Sequence, residues 1–209
     1  MHPSENIAAL IGSRICHDLI SPIGAVSNGL ELLTLSGAAD GPEMSLVSDS
    51  AASATARIRL FRLAFGLASE GQTTRADEIV SIWQGVHADR RIDLVWTGPA
   101  ELDRRVARLV MLACLCAETA LPLGGRLRIT QEPDAWQITA TGPRIHVDDT
   151  LWPILTGAPA PAEIRPAHVQ FLLLPHHLAD SGQTARYTLG DAALVLRVQS
   201  KDTQPAGTH

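Results

Sequence analysis

Apolar residues recur every three or four positions over the first third of the chain, and the pattern then breaks into shorter alternating runs. Counting about 100° per residue, Ala8, Ile11, Ile15, Leu19, Val26, Leu30 and Leu33 share one side of a helix expected to run from an N-cap at Ser4 to Ser36. Ser13, Arg14, His17, Ser21, Gly24, Asn28 and Glu31 share the other side. Pro22 removes a backbone donor within this helix, which predicts a bend and a freed carbonyl near Asp18. The run SGAADGP at 36–42 predicts a turn between antiparallel helices. A second helix is expected from Pro42 or Glu43 to near Gly71. Its Met44, Val47, Ala51, Ala54, Ile58, Phe61 and Phe65 alternate spacings of three and four, the pattern of a heptad seam. Two helices cannot close a core by themselves. The pattern therefore predicts a four-helix bundle built from two copies of the hairpin, and hence a homodimer.

Beyond residues 71–74 the pattern becomes mixed. It predicts a short helix over 77–86, a strand over 92–96 and a turn at Thr97-Gly98-Pro99. A long helix carrying Leu102, Val106, Leu109, Val110, Ala113 and Ala117 is expected to end before Pro122. Strands follow over 126–130 and 136–141, then a Pro- and Ala-rich loop over 156–166. A helix over 168–178, despite Pro175, and a last hairpin of strands 186–189 and 193–199 complete the expectation. The fold class is α+β, with a helical hairpin over 1–71, an α/β domain over 72–202 and a disordered tail over 203–209.

Composition narrows the function. A chain of 209 residues with 45% hydrophobic content can form one or two ordinary domains. The net charge of −5 opposes a nucleic-acid partner, which needs a basic field. No apolar run approaches the roughly 20 residues of a membrane helix, and the N-terminal MHPSENIAALIG lacks the layout of a signal peptide. A cytoplasmic protein without membrane contact is expected. Three cysteines, Cys16, Cys114 and Cys116, suit a reducing compartment. Cys114 and Cys116 face different ways on a helix, so no metal or redox pair is expected. His176 and His177 diverge likewise, and no acidic partner is expected at ligand spacing. No metal site and no bound cofactor follow.

The reactive candidate is His17, on the side of the first helix that has no apolar stripe. A neutral imidazole nitrogen is a competent nucleophile toward an activated phosphoryl group. Phosphoryl transfer depends mainly on positioning and charge stabilisation, so one projecting histidine suffices when the partner supplies a metal ion. Asp18 can accept a hydrogen bond from the second ring nitrogen and fix the tautomer. Ser21 lies one turn along and Arg14 one turn back, where it can offset phosphate charge. Gly24, Asn28 and Glu31 continue the same face and are the candidate partner-binding residues.

The run His17-Asp18-Leu19-Ile20-Ser21-Pro22-Ile23 resembles the H-box of sensor histidine kinases. The longer string SRICHDLISPIGAVSNGLELL, residues 13–33, resembles the ChpT-like histidine phosphotransferases of alphaproteobacteria. That resemblance implies a dimerising helical hairpin followed by a domain like a kinase ATPase domain that has lost nucleotide binding. Consistent with this, the helix ending before Pro122 contains no asparagine for a metal. Thr141-Gly142-Pro143 stands where a kinase would carry Asp-x-Gly-x-Gly, and no glycine-rich lid precedes residue 168. The implied function is a phosphorelay: His17 accepts phosphate from the receiver domain of a hybrid histidine kinase and passes it to response-regulator receivers. The receiver would supply Mg²⁺, and the resemblance implies acceptors of the cell-cycle type. A divergent ATP-using histidine kinase and a non-catalytic receiver-binding adaptor remain as alternatives.

Overall fold

A computed structural model describes residues 3–36, 41–87, 92–190 and 192–201. The expected turn falls mostly on 37–40, and the expected tail begins at 203. Both lie outside the described residues.

Helix α1 (Pro3–Ser36) is continuous through Pro22 and packs antiparallel against α2 (Pro42–Ala64). Because the helix begins at Pro3, Ser4 stands inside it rather than at its cap. Gly29 marks the closest approach of the pair, since a Cβ there would collide with the side chain of Val47. The stripe expected on α1 is only partly covered. Ile11, Ile15, Leu19, Val26 and Leu33 are half-buried, while Ala8 and Leu30 are exposed and Arg14 joins the half-buried set. The α2 seam likewise divides. Val47, Ala54 and Phe61 are covered to different degrees, whereas Met44, Ala51 and Ile58, seven residues apart, face out.

Helix α2 stops at Ala64, one full turn and more before the expected end near Gly71. The reason is a tertiary cap: the Arg104 guanidinium donates to the Arg62 carbonyl in the last turn of α2. The chain then turns into β1 (Thr73–Arg75), which pairs antiparallel with β3 (Glu101–Asp103). Neither three-residue strand is predicted from the pattern. Pairing of β3 also displaces the start of the long helix from Leu102 to Arg104, where Asp103 caps it by accepting from the Arg105 N–H at 2.7 Å.

Between these strands lie α3 (Ala76–His87) and β2 (Ile92–Thr97). After β3 come α4 (Arg104–Glu118), β4 (Gly125–Glu132) and β5 (Ala135–Thr141). Two 3₁₀ turns, Trp152–Thr156 and Pro166–His168, bracket the proline-rich loop. Then follow α5 (Gln170–Asp180), β6 (Gln183–Leu189) and β7 (Ala193–Ser200). A five-stranded sheet runs β2-β4-β5-β7-β6, parallel only between β2 and β4. The helices cover one face of it. In β4 the buried Leu127 and Ile129 alternate with the exposed Arg126 and Arg128, the signature of a sheet packed on one side.

The core lies under α4, whose residues from Leu109 to Ala117 are all buried. A helix that is apolar all round belongs in a core. Gly142 also finds its physical reason here. A Cβ on it would strike the Gly124 carbonyl, and one on Gly125 would strike the Thr141 carbonyl, so these glycines let two backbone segments touch. The α1 residues Ile7, Leu10 and Ile11 pack against this core, tying the hairpin to the sheet domain. Among the described residues no helix is long and apolar enough to cross a membrane.

Candidate functional site

His17 projects from α1 with its side chain 83% exposed. Its Nδ1 lies 3.0 Å from Asp18 Oδ1. A carboxylate can only accept, so Nδ1 carries the hydrogen and the Nε2 lone pair is left free toward solvent. Asp18 is itself held. Arg14 Nε donates to its Oδ2 at 2.6 Å, and Arg14 Nη1 donates to the Ala167 carbonyl at 2.5 Å. The result is a chain of four groups running from the 3₁₀ turn Pro166–His168 through Arg14 and Asp18 to the imidazole. Arg14 and Asp18 are nearly enclosed, at 19% and 12% side-chain exposure. Arg14 is thus placed to orient Asp18.

His17 stands on a ridge between two clefts. One, of about 730 Å³, lies between α1, α2 and α3, and is walled by His17, Asp18, Ser21, Ser53, Arg57 and Gly85 among others. The other, of about 640 Å³, lies toward the sheet domain, with Arg14, His17, Glu118, Pro122, Ala167 and His168 in its walls. Glu118 there meets the buried His87, whose Nε2 lies 3.1 Å from its carboxylate while Nδ1 donates to the Trp83 carbonyl. Burial holds the His168 imidazole below its ordinary value, against the pull of Asp148.

Ser21 borders the first cleft and is exposed. Gly24, Asn28 and Glu31 are exposed along the same helix face, outside both clefts. A Cβ on Gly24 would meet nothing within 4 Å, so the packing of this chain does not require glycine there. Ala167, His168, Arg57 and Gly85 complete the surroundings of His17 and were not singled out by the pattern. Ala167 contributes a backbone carbonyl, which no side-chain motif can announce. Arg57 did leave a signal: it falls between Ala54 and Phe61 on the covered stripe of α2, an unusual place for a cation.

Cys114 and Cys116 are fully buried, and burial pushes both thiols far above their ordinary range. One expectation needs correcting. Asp180 does sit at ligand spacing from His176 and His177, and the three bring candidate ligand atoms within 4.8 Å of one another. The carboxylate lies 3.8 and 4.0 Å from the two rings. Residues three and four apart meet at the end of α5, a neighbourhood that the spacing of the two histidines alone conceals.

Residues 76–193 match the family described as "Histidine phosphotransferase C-terminal domain". Protein phosphotransferase ChpT of Brucella abortus (strain 2308) is 34% identical over 169 residues, 78% of this chain and 80% of that protein. A solved structure described as a bacterial phosphotransferase superposes with a TM-score of 0.79 at 28% identity, covering 95% of this chain and 98% of the other. Histidine kinase AdeS of Acinetobacter baumannii matches at a TM-score of 0.47 and 15% identity, over 90% of this chain and 98% of that chain. The chain belongs to the histidine phosphotransferase family.

Proposed function

We propose that this protein is the histidine phosphotransferase of a cytoplasmic phosphorelay and that His17 is its phosphoacceptor. The observation that carries the assignment is the exposed imidazole whose Nδ1 is committed to Asp18, leaving Nε2 as the nucleophile. The Nε2 lone pair attacks the phosphorus of a receiver's aspartyl phosphate in line with the leaving carboxylate oxygen. The N–P bond forms as the P–O bond breaks, and the electron pair returns to the aspartate. The Nδ1 proton stays on the ring, and Asp18 balances the positive charge that the ring gains. Delivery to a response-regulator receiver runs the same step backwards. Mg²⁺ comes with the receiver domain, so the phosphotransferase itself needs no metal or nucleotide.

Receivers dock on the α1 face that carries Ser21, Gly24, Asn28 and Glu31, whose exposure and lack of bulk at Gly24 suit close approach. A homodimer is supported by the outward half of the α2 seam, Met44, Ala51 and Ile58, together with Ile20, Ile23 and Leu30 on α1, all exposed in the single chain. Two such hairpins bury these rows against each other in a four-helix bundle. The sheet domain is a kinase-ATPase-like platform that no longer takes ATP: α4 carries no asparagine, and the Gly142 region serves backbone packing. The proposed acceptors are receivers of the cell-cycle type, as the resemblance of residues 13–33 to ChpT-like phosphotransferases implies.

The test is transfer of label from a phosphorylated receiver. His17→Ala should lose all label while keeping wild-type helical content and melting temperature, because the ring is solvent-exposed. Retained label would place the phosphoacceptor elsewhere. Incubation with radiolabelled ATP alone should leave the wild-type protein unlabelled, and self-labelling would favour an active kinase.

A further inference from the structure

We infer that Arg57, on α2, is a catalytic residue of the transfer, holding the phosphoryl group at His17 through its guanidinium. Arg57 and His17 wall the same cleft from opposite helices. The antiparallel register supports their proximity. Stepping away from the Gly29–Val47 contact by equal numbers of residues brings Asp18 level with Ile58, and Arg57 is its neighbour. Packed helices lie about 8–10 Å apart, a gap that an arginine side chain spans.

Among the described residues Arg57 faces no carboxylate in an ion pair, and its Nε, sealed from solvent, has no hydrogen-bond partner, against the near-complete pairing of buried polar groups in folded proteins. The neighbouring cations are engaged differently: Arg59 and Arg62 approach Glu78, and Arg14 is held by Asp18 and the Ala167 carbonyl. The cleft's other carboxylate besides Asp18 is Asp49, two turns toward the start of α2, where it accepts from Ser45. A cation therefore lines the nucleophile's cleft with no carboxylate partner among the described residues.

Such a group matches the chemistry of the step. The phosphoryl oxygens carry negative charge through the transfer and keep it on the phosphorylated imidazole. A planar guanidinium presents paired donors that fit phosphate in a bidentate manner. It assists the forming N–P bond and the breaking P–O bond without taking or giving a proton. Stabilising charge at a transferring phosphoryl group is the main service a protein renders to this reaction.

The inference rests on His17 as phosphoacceptor, so His17→Ala is run beside Arg57→Gln and Arg57→Lys. Each protein receives phosphate from a phosphorylated receiver in single-turnover assays at saturating receiver, and affinity for the unphosphorylated receiver is measured separately. Arg57→Gln should slow the saturated rate by about a hundredfold, Arg57→Lys, which keeps the charge but not the paired donors, should recover only part of it, and receiver affinity should stay unchanged. In ³¹P spectra, the phosphohistidine of Arg57→Gln should titrate at higher pH than that of the wild type, because a cation beside it is gone. A wild-type saturated rate, or a loss confined to receiver affinity, overturns the assignment. If Arg57→Gln does not fold, Arg57→Met, which also removes the charge, takes its place, and a ³¹P titration identical to the wild type overturns the assignment. Label on His17→Ala would instead refute the phosphoacceptor and leave the Arg57 measurements to be read against another site.

Discussion

Helices α1 and α4 are both long and rich in aliphatic residues, yet they dispose of those residues in opposite ways. From Leu109 to Ala117, α4 buries every side chain between the sheet and the flanking helices. In α1, Ile20 is 71% exposed and Ile23 and Leu30 are each 52% exposed. The difference lies in the number of layers around each helix. The sheet, α2 and α5 all contact α4, whereas α1 is covered by α2 and, near its start, by the sheet domain. A helix with apolar residues on more than one face needs more than one partner. The sheet domain completes its own core, and the hairpin leaves a row of apolar residues for something else to cover.

The largest expected effect separates the two helices directly. Leu112→Ala removes a fully buried side chain and should cost about 2–5 kcal/mol, the range for truncating a core leucine. Leu30→Ala should change the stability of dilute, monomeric protein by no more than about 0.5 kcal/mol. Urea denaturation at low protein concentration reads both. Equal costs would mean that α1 is covered within one chain after all.

The next effect concerns what covers the open row. Ile58→Glu places a charge where two hairpins would meet, and burying it without a partner is costly. Self-association should weaken by about a hundredfold, close to 2.7 kcal/mol, while the helical content of the monomer persists. Sedimentation equilibrium over a range of concentrations makes the measurement. A wild-type protein that stays monomeric would assign the apolar row to a different partner.

These two regions were also unequally legible in the sequence. The hairpin helices announce themselves through long unbroken periodicity, and His17 and Asp18 through adjacency, since their contact needs no tertiary structure. The end of α2 at Ala64 could not be read, because an arginine forty positions on supplies its cap. Strands β1 and β3 hold three residues each, too few to show an alternation. The hold of Ala167 on Arg14 joins groups 153 residues apart and uses a backbone atom. Sequence thus exposes the proposed nucleophile and its nearest neighbour, while the scaffold that orients them is tertiary.

The smallest effect sharpens the contrast from the side of the sheet domain, whose enclosed groups should respond to pH in a way the exposed hairpin does not. At the end of α5, burial, together with the positive charge of Arg108 and the neighbouring His176, lowers the His177 imidazole to about 4, while Asp180 pulls the other way. A free imidazole titrates near about 6.5. Between those values the unfolded chain binds a proton that the folded chain refuses. The stability present at neutral pH therefore falls as pH drops from about 6.5 to about 4, and the loss levels off below that. With solvent screening of a half-buried ring taken into account, the contribution between pH 7 and pH 5 should be about 1 kcal/mol. His177→Gln cannot take up the proton, so its urea midpoint should decline less over this interval than that of the wild type. Parallel declines would show that His177 is protonated as readily in the folded protein as in the unfolded one, and that the end of α5 is more open to water than its packing indicates.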